Sequence, residues 1–283
     1  MEIKKYPDGT SYVVLSEEDK ISYDFTFKIN TYTDLHHLEQ LVEVCNFHGK
    51  TPTITIPCLI DAQADRRFDQ NHSSGLKIVL KRLNSMDAKF EIFHPHNPEV
   101  VEAMMDNVEI IDNSKFIGEV LNSVGSIQLN SGVQFKKYGI IDNLILMSSD
   151  AGGFKPLMKL CDKINWKGET YSASKARTNS GLKQLIDKED FNGKDILIID
   201  DICVYGGTFK GLSKLLKERN CGKLYLAVSH MTIQDLGEDS IEYYFDKIFT
   251  TNSKFGDTYF KTQNEGEYSC PKLQIINLFN YDN

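Results

Sequence analysis

Short apolar runs alternate with stretches of helical spacing along most of this chain. The run TPTITIPCLI (51–60) is rich in β-branched residues and predicts a strand. SGLKIVLKRLNSM (74–86) sets Leu76, Ile78, Val79, Leu80 and Leu83 at helical spacing. KFEIFHPH (89–96) reads as a strand that ends in polar residues, and PEVVEAMM as a short helix. NLILMSSDAGGFKPLMKLCDKI (143–164) runs strand, glycine turn, helix, and KDILIIDDICVYGGTFKGLSKLLKER (194–219) repeats that layout. KLYLAVSH and YYFDKIFTTNS add two further strands.

Alternation of strand, turn and helix predicts an α/β fold whose parallel sheets carry helices on both faces. Ligands of such sheets bind at the carboxyl ends of the strands, where the polar clusters of this chain fall. The weakly periodic, polar stretch 123–143 is the expected junction. A boundary near residue 140 divides the chain into two halves of similar layout, 1–140 and 141–283.

Length and composition narrow the partners. At 283 residues the chain has room for one large or two medium domains. A net charge of −8 disfavours a non-specific nucleic-acid binder. No apolar run is long enough to cross a bilayer, and the first residues lack the pattern of a signal peptide. Six cysteines are scattered without a CxxC pair, which reads as reduced thiols of a cytoplasmic protein.

The segment ILIIDDICVYGGTFKGL (196–212) carries the sharpest chemistry. Asp200 and Asp201 follow four aliphatic residues, at the expected end of strand 195–199. Adjacent carboxylates repel, so a cation or hydroxyl donors must offset the repulsion. The glycines and Thr208 then open a helix, whose first amide groups attract an anion. Acids that bind hydroxyls beside a phosphate cradle suit a ribose phosphate. The plainer alternative is a βα turn that Asp201 merely braces. No Walker A loop is present. Cys203 lies inside the loop without an evident base and reads as a packing residue.

An Asp-Asp pair, a short spacer and Gly-Gly-Thr after an aliphatic strand resemble the diphosphate loop of the phosphoribosyltransferase fold. Further segments resemble those of ribose-phosphate diphosphokinases (phosphoribosyl-diphosphate synthetases), especially their shorter, phage-like members. In order, these are YPDGTSYVVL near the start, DAQADRRF (61–68), HPHNPEV (94–100), SSDAGGFKPL (148–157), SKAR (174–177), VSH (228–230) and TTNS (250–253). SSDAGG stands where the family has Ser-Pro-Asp-Ala-Gly-Gly.

The resemblance implies two phosphoribosyltransferase-like (type I) domains. The reaction it implies passes the β,γ-diphosphoryl group of ATP to the C1 hydroxyl of ribose 5-phosphate, with Mg²⁺ and release of AMP. Asp65, Arg66, Arg67 and His96 would then contact ATP, and His96 and Asp150 the metal. Lys175 and Arg177 would close over the transferring group from a loop that orders on substrate binding. Asp200, Asp201 and Asp150 would hold the ribose, and Val204, Tyr205, Gly206, Gly207 and Thr208 its 5-phosphate end. A homo-oligomer, dimer or larger, is implied as well, in the host cytoplasm if the chain is phage-encoded.

Each residue has a bland alternative: His96 as a turn histidine, Asp150 as a helix cap, the basic residues as solvated surface charge. The sequence also departs from the family. Gln63 and Ala64 replace its Arg-Gln, and Val204-Tyr205 replaces a small pair before the glycines. Met231 adds bulk after His230 where the family has glycine. An aromatic ring beside the phosphate end fits an acceptor extended beyond it, such as ADP-ribose, for rebuilding NAD⁺. Ribose 5-phosphate and ADP-ribose stay level as acceptors. A phosphoribosyltransferase or a non-catalytic regulatory homologue remains the alternative class.

Overall fold

The computed structural model of the chain describes residues 1–67, 69–129, 143–178, 181–232, 239–254 and 272–281. The side chains of 127–129, 175–178 and 181–183 are outside that description. The chain forms two compact units, one of Met1–Asp112 with Phe279–Asn283, the other of Asn113–Leu278.

The first unit opens with an antiparallel hairpin of β1 (Glu2–Lys5) and β2 (Ser11–Val14). Its turn is held by the Asp8 carboxylate, which accepts from the Thr10 amide (3.0 Å), and by Gly9 at φ +88°. A short α1 (Asp19–Ser22) leads into β3 (Asp24–Thr26), α2 (Tyr32–Phe47), β4 (Thr53–Ile56), α3 (Gly75–Asn84), β5 (Lys89–Phe93), α4 (Pro98–Met104) and β6 (Val108–Ile111). Helix α2 starts at a capping box: the Thr31 side chain accepts from the Asp34 amide while the Asp34 carboxylate accepts from the Thr31 amide. The four strands form a parallel sheet in the order β3-β4-β5-β6. Its strands alternate: Phe25, Ile54, Ile56, Phe90 and Ile92 are buried, while Thr26, Thr53, Thr55 and Glu91 are half-exposed. On that wetter face the Thr55 hydroxyl donates to Glu91 (2.7 Å). The returning C-terminus covers one end of it, with the Phe279 ring 5.2 Å from that of Phe93.

The second unit begins with α5 (Ser114–Leu129) and continues through β7 (Leu144–Ser148), α6 (Phe154–Lys163), β8 (Thr170–Ser172), β9 (Ser174–Thr178), β10 (Gly181–Leu185), β11 (Asp195–Cys203), α7 (Gly207–Glu218), β12 (Leu224–Met231), a 3₁₀ turn at Ile241–Tyr244, β13 (Lys247–Thr251) and β14 (Leu273–Ile276). Six strands form a parallel sheet in the order β14-β13-β12-β11-β7-β8. Every residue of β7 and β12 is buried, so apolar side chains pack on both faces. Helix α7 contributes Phe209, Leu212 and Leu216 to one core, against Ile198, Leu226 and Val228. Helix α5 packs beside β12 and α6 beside β7.

The division between units falls at Asp112/Asn113, ahead of the expected boundary near residue 140. Residues 123–129, expected in the junction, are helical, and the Gln274 amide donates to Ser123 across the second unit (3.2 Å). Residue 140 itself lies outside the described residues.

Candidate functional site

The order of the six-stranded sheet reverses at β7. The chain passes from β7 outward to β8, then returns to place β11 on the other side of β7. Such a switch point leaves a crevice at the carboxyl ends of the two strands. The acid pair sits there. β7 pairs with β11 only as far as Ser148↔Ile199, whereas β12 stays paired with β11 to Met231↔Cys203. The strand expected to stop at Ile199 therefore runs on to Cys203, because one neighbour continues the ladder. Asp200 and Asp201 are the first residues beyond the end of the other neighbour.

Asp200 is held on both oxygens. Its Oδ1 accepts from the Asp201 amide (2.9 Å), and its Oδ2 from the Ser149 hydroxyl at the end of β7. Burial, reinforced by the Asp201 carboxylate, pushes the Asp200 carboxyl up to about 7. The Ser149 hydroxyl acts in the opposite sense and favours the ionised form. A carboxyl so poised gains its full charge when hydroxyl donors or a cation arrive.

The loop after the acids turns on Gly206. Its φ of +74° is left-handed, and a Cβ there would stand 2.9 Å from Ile241 Cδ1. Conformation and space both require glycine. Helix α7 then begins at Gly207, so its first amides point back at the loop without intrahelical acceptors. Thr208 is half-buried, and its carbonyl accepts from Gln184 Nε2 (2.8 Å). Val204 is half-buried, while Tyr205 is 88% exposed. Burial and Asp200 push the Cys203 thiol up to about 12, which keeps it neutral and makes it a packing residue.

Asp150 follows Ser149 and turns the chain into α6. Its Oδ1 accepts from the Gly153 amide (3.1 Å), and its carbonyl accepts from the Ser148 (2.9 Å) and Ser172 (3.1 Å) hydroxyls. Asp150 thus braces the tight turn ahead of α6, whose N-cap is Gly153, and the Ser149–Asp200 bond joins that turn to the acid pair. Lys175 and Arg177 lie on β9, expected as part of a loop. β9 instead pairs with β10 as a two-stranded ribbon, with Lys175 opposite Gln184 and Arg177 opposite Leu182. The segments SKART and GLKQL carry neither an apolar run nor a strict alternation, so their pattern in sequence is that of a loop.

The remaining candidates belong to the first unit. Asp65 is half-buried, and its Oδ2 accepts from Asn97 Nδ2 (2.9 Å). That bond draws DAQADRRF to the turn after β5, where His96 is exposed next to Asn97. Arg66 and Arg67 are exposed beside Asp65. Three residues absent from the expectations emerge here. Asn97 caps α4 by accepting from the Val100 amide (3.2 Å) while it holds Asp65, and Asn-Pro at a helix start is a readable cap. Ser149 stands at the position of the family's proline. Nothing in the pattern points to Gln184.

Among the described residues, no group of three or more His, Cys, Asp or Glu side chains could hold a metal by itself. Carboxylate oxygens are nevertheless the donors that Mg²⁺ takes, one or two at a time with substrate phosphates completing the shell.

The model of the phosphoribosyl transferase domain family matches residues 130–261. The ribose-phosphate pyrophosphokinase of Pyrococcus furiosus is 26% identical over 260 residues, covering 89% of this chain and 85% of the relative. That of Thermoplasma volcanium is 22% identical over 260 residues, covering 90% and 84%. The crystal structure of phosphoribosylpyrophosphate synthetase from Mycobacterium smegmatis superposes with a TM-score of 0.72 at 16% identity, over 98% of this chain and 85% of that one. This likeness shows the shared fold. The chain is thus similar over about nine-tenths of its length to ribose-phosphate pyrophosphokinases, and over residues 130–261 to the phosphoribosyl transferase domain.

Proposed function

We propose that the chain transfers the β,γ-diphosphoryl group of ATP to the C1 hydroxyl of a ribose 5-phosphate moiety and releases AMP. The observation that carries this reading is the switch point of the second sheet. It sets Asp200 and Asp201 beside the glycine loop that opens α7. The C1 oxygen attacks the β-phosphorus, the bond from that phosphorus to the α-phosphate oxygen breaks, and AMP departs with that oxygen. The hydroxyl proton leaves to solvent or a nearby carboxylate. Such a transfer asks the protein mostly for positioning and charge neutralisation.

In this reading Asp200 and Asp201 accept hydrogen bonds from the ribose hydroxyls, and the first amides of α7 hold the 5-phosphate. Gly206 and Gly207 keep that approach open, and Thr208 lines it. Lys175 and Arg177 neutralise the transferring group. Asp65, Arg66, Arg67 and His96 bind ATP. One Mg²⁺ would be held by His96 with the ATP phosphates and a second by Asp150, and these ions would supply further neutralisation of phosphate charge. The acceptor is ribose 5-phosphate or ADP-ribose, and an exposed Tyr205 ring next to the loop suits the longer one. The working unit is an oligomer, which sedimentation checks.

The test is AMP release from ATP and Mg²⁺, with each acceptor offered separately. AMP with either acceptor supports the reading. AMP with neither overturns it in favour of a transferase or a regulatory homologue.

A further inference from the structure

The ribbon of β9 and β10 stands outside the six-stranded sheet. A two-stranded ribbon is marginal in water unless something holds it. Its root is held at both ends. The amide of buried Ala173 donates to the Ser148 carbonyl at the end of β7 (3.1 Å), and Arg219 Nη1 donates to the carbonyl of buried Ile186 (2.6 Å). Beyond the root, Gln184 ties the ribbon to α7: its Nε2 donates to the Thr208 carbonyl (2.8 Å).

Three observations give that bond a task. The first is what lies across the ribbon. Gln184 is paired with Lys175 in the β9–β10 ladder, so a displacement of Gln184 carries the Lys175 backbone with it. The second is what lies behind the Thr208 carbonyl. The ladder of α7 begins with the Lys210 amide, which donates to the Gly206 carbonyl (2.9 Å), so the amides of Gly207, Thr208 and Phe209 have no intrahelical acceptor and suit an anion. The Thr208 carbonyl and the Phe209 amide are opposite ends of one planar peptide group. A donor on the carbonyl fixes that plane and polarises the N–H at its other end towards an anion. The third is the cost of glutamine here. Gln184 Oε1 is buried and accepts nothing among the described residues. An apolar side chain of the same length would pack there without an orphan acceptor, so packing alone does not call for glutamine.

We propose that Gln184 is a positioning residue that joins the strand carrying Lys175 to the peptide group facing the 5-phosphate. This rests on the proposed reading, in which Lys175 neutralises the transferring group and the first amides of α7 hold the 5-phosphate. Gln184 touches neither group itself. Its bond makes the ribbon and the first turn of α7 one piece, so that an occupied phosphate loop also places Lys175.

The test is Gln184→Met, which keeps length and volume and removes the donor. AMP release should fall about tenfold in kcat, the size of one hydrogen bond, with the KM for ATP within about twofold of wild type. In a Lys175→Ala background the same substitution should change kcat by less than about twofold, because it acts through Lys175. An equal loss in both backgrounds would make Gln184 merely structural, and no loss in either would remove the link; each result overturns the proposal. Circular-dichroism melts check that folding is retained. If Gln184→Met melts early, Gln184→Asn, one methylene too short to reach Thr208, takes its place in the same cycle. Should the wild type release no AMP, the diphosphokinase reading fails by itself, and hydrogen exchange at the amides of β9 and β10 decides the link. Inorganic phosphate should slow that exchange at least about threefold in wild type and leave it unchanged in Gln184→Met. Exchange indifferent to phosphate in wild type, or slowed equally in both proteins, would overturn the link.

Discussion

The two parallel sheets of this protein solve burial differently. In the second unit, β12 reads LYLAVSHM and every residue is buried. In the first, β4 reads TITI and buries every other residue. A parallel strand covered on both faces tolerates apolar side chains throughout, whereas one with a wetter face needs polar alternates. The chemistry follows the same division. The doubly covered sheet provides the switch point at which half-buried Asp200 is held by Ser149. The first sheet carries its candidates on turns, where Asp65 is half-buried and accepts from Asn97 while His96 is exposed. A perturbed carboxyl needs the drier setting, and the second sheet supplies it.

The comparison can be broken most severely at the ribbon of the second unit. On the proposed reading, in which Lys175 neutralises the transferring group, Lys175→Ala should lower AMP release by about 10³-fold with an unchanged melting profile. Turnover within a few-fold of wild type would remove β9 from the site. Next in size is the pair Ala227→Lys and Thr55→Lys. Ala227 is fully buried within β12, so a charge there should cost more than about 4 kcal/mol and leave little soluble protein. Thr55 is half-exposed and touches Glu91, so lysine there should cost less than about 1 kcal/mol in a urea melt. Comparable losses at both positions would erase the distinction between the sheets.

A smaller effect probes the acid pair. The folded-state value of Asp200, about 7, lies above the ordinary carboxyl value of 3.8. Between those limits the folded protein keeps a proton that the unfolded chain has released, so stability falls as pH rises from about 4 to about 7. Asp200→Asn removes that penalty. The variant should be more stable than wild type by on the order of 2 kcal/mol at pH 8, and the gain should vanish near pH 4. Denaturant midpoints at the two pH values check this. A gain independent of pH would mean that Asp200 is not the group that titrates.

Strand, turn and helix around both glycine turns could be read locally, because four buried aliphatic residues followed by acids and glycines leave few alternatives. The acid pair and Gly206 were visible for the same reason. Ser149 was not. It meets Asp200 from a position 51 residues away, and only the placement of β7 beside β11 makes them neighbours. Asn97 and Asp65, 32 residues apart, depend likewise on β5 and the turn after β4. The ribbon β9–β10 escaped because SKART and GLKQL lack the apolar run or alternation by which a buried strand is read.

The sequence by itself determined the α/β class, the strand ends that carry polar groups, and the glycine that the loop after Asp201 requires. Those rest on steric limits and on burial periods a few residues long. Tertiary structure alone decided where β11 stops, which hydroxyl holds Asp200, and that Gln184 faces the flank of α7. Each depends on which strands become neighbours, and that follows from the packing of the whole unit.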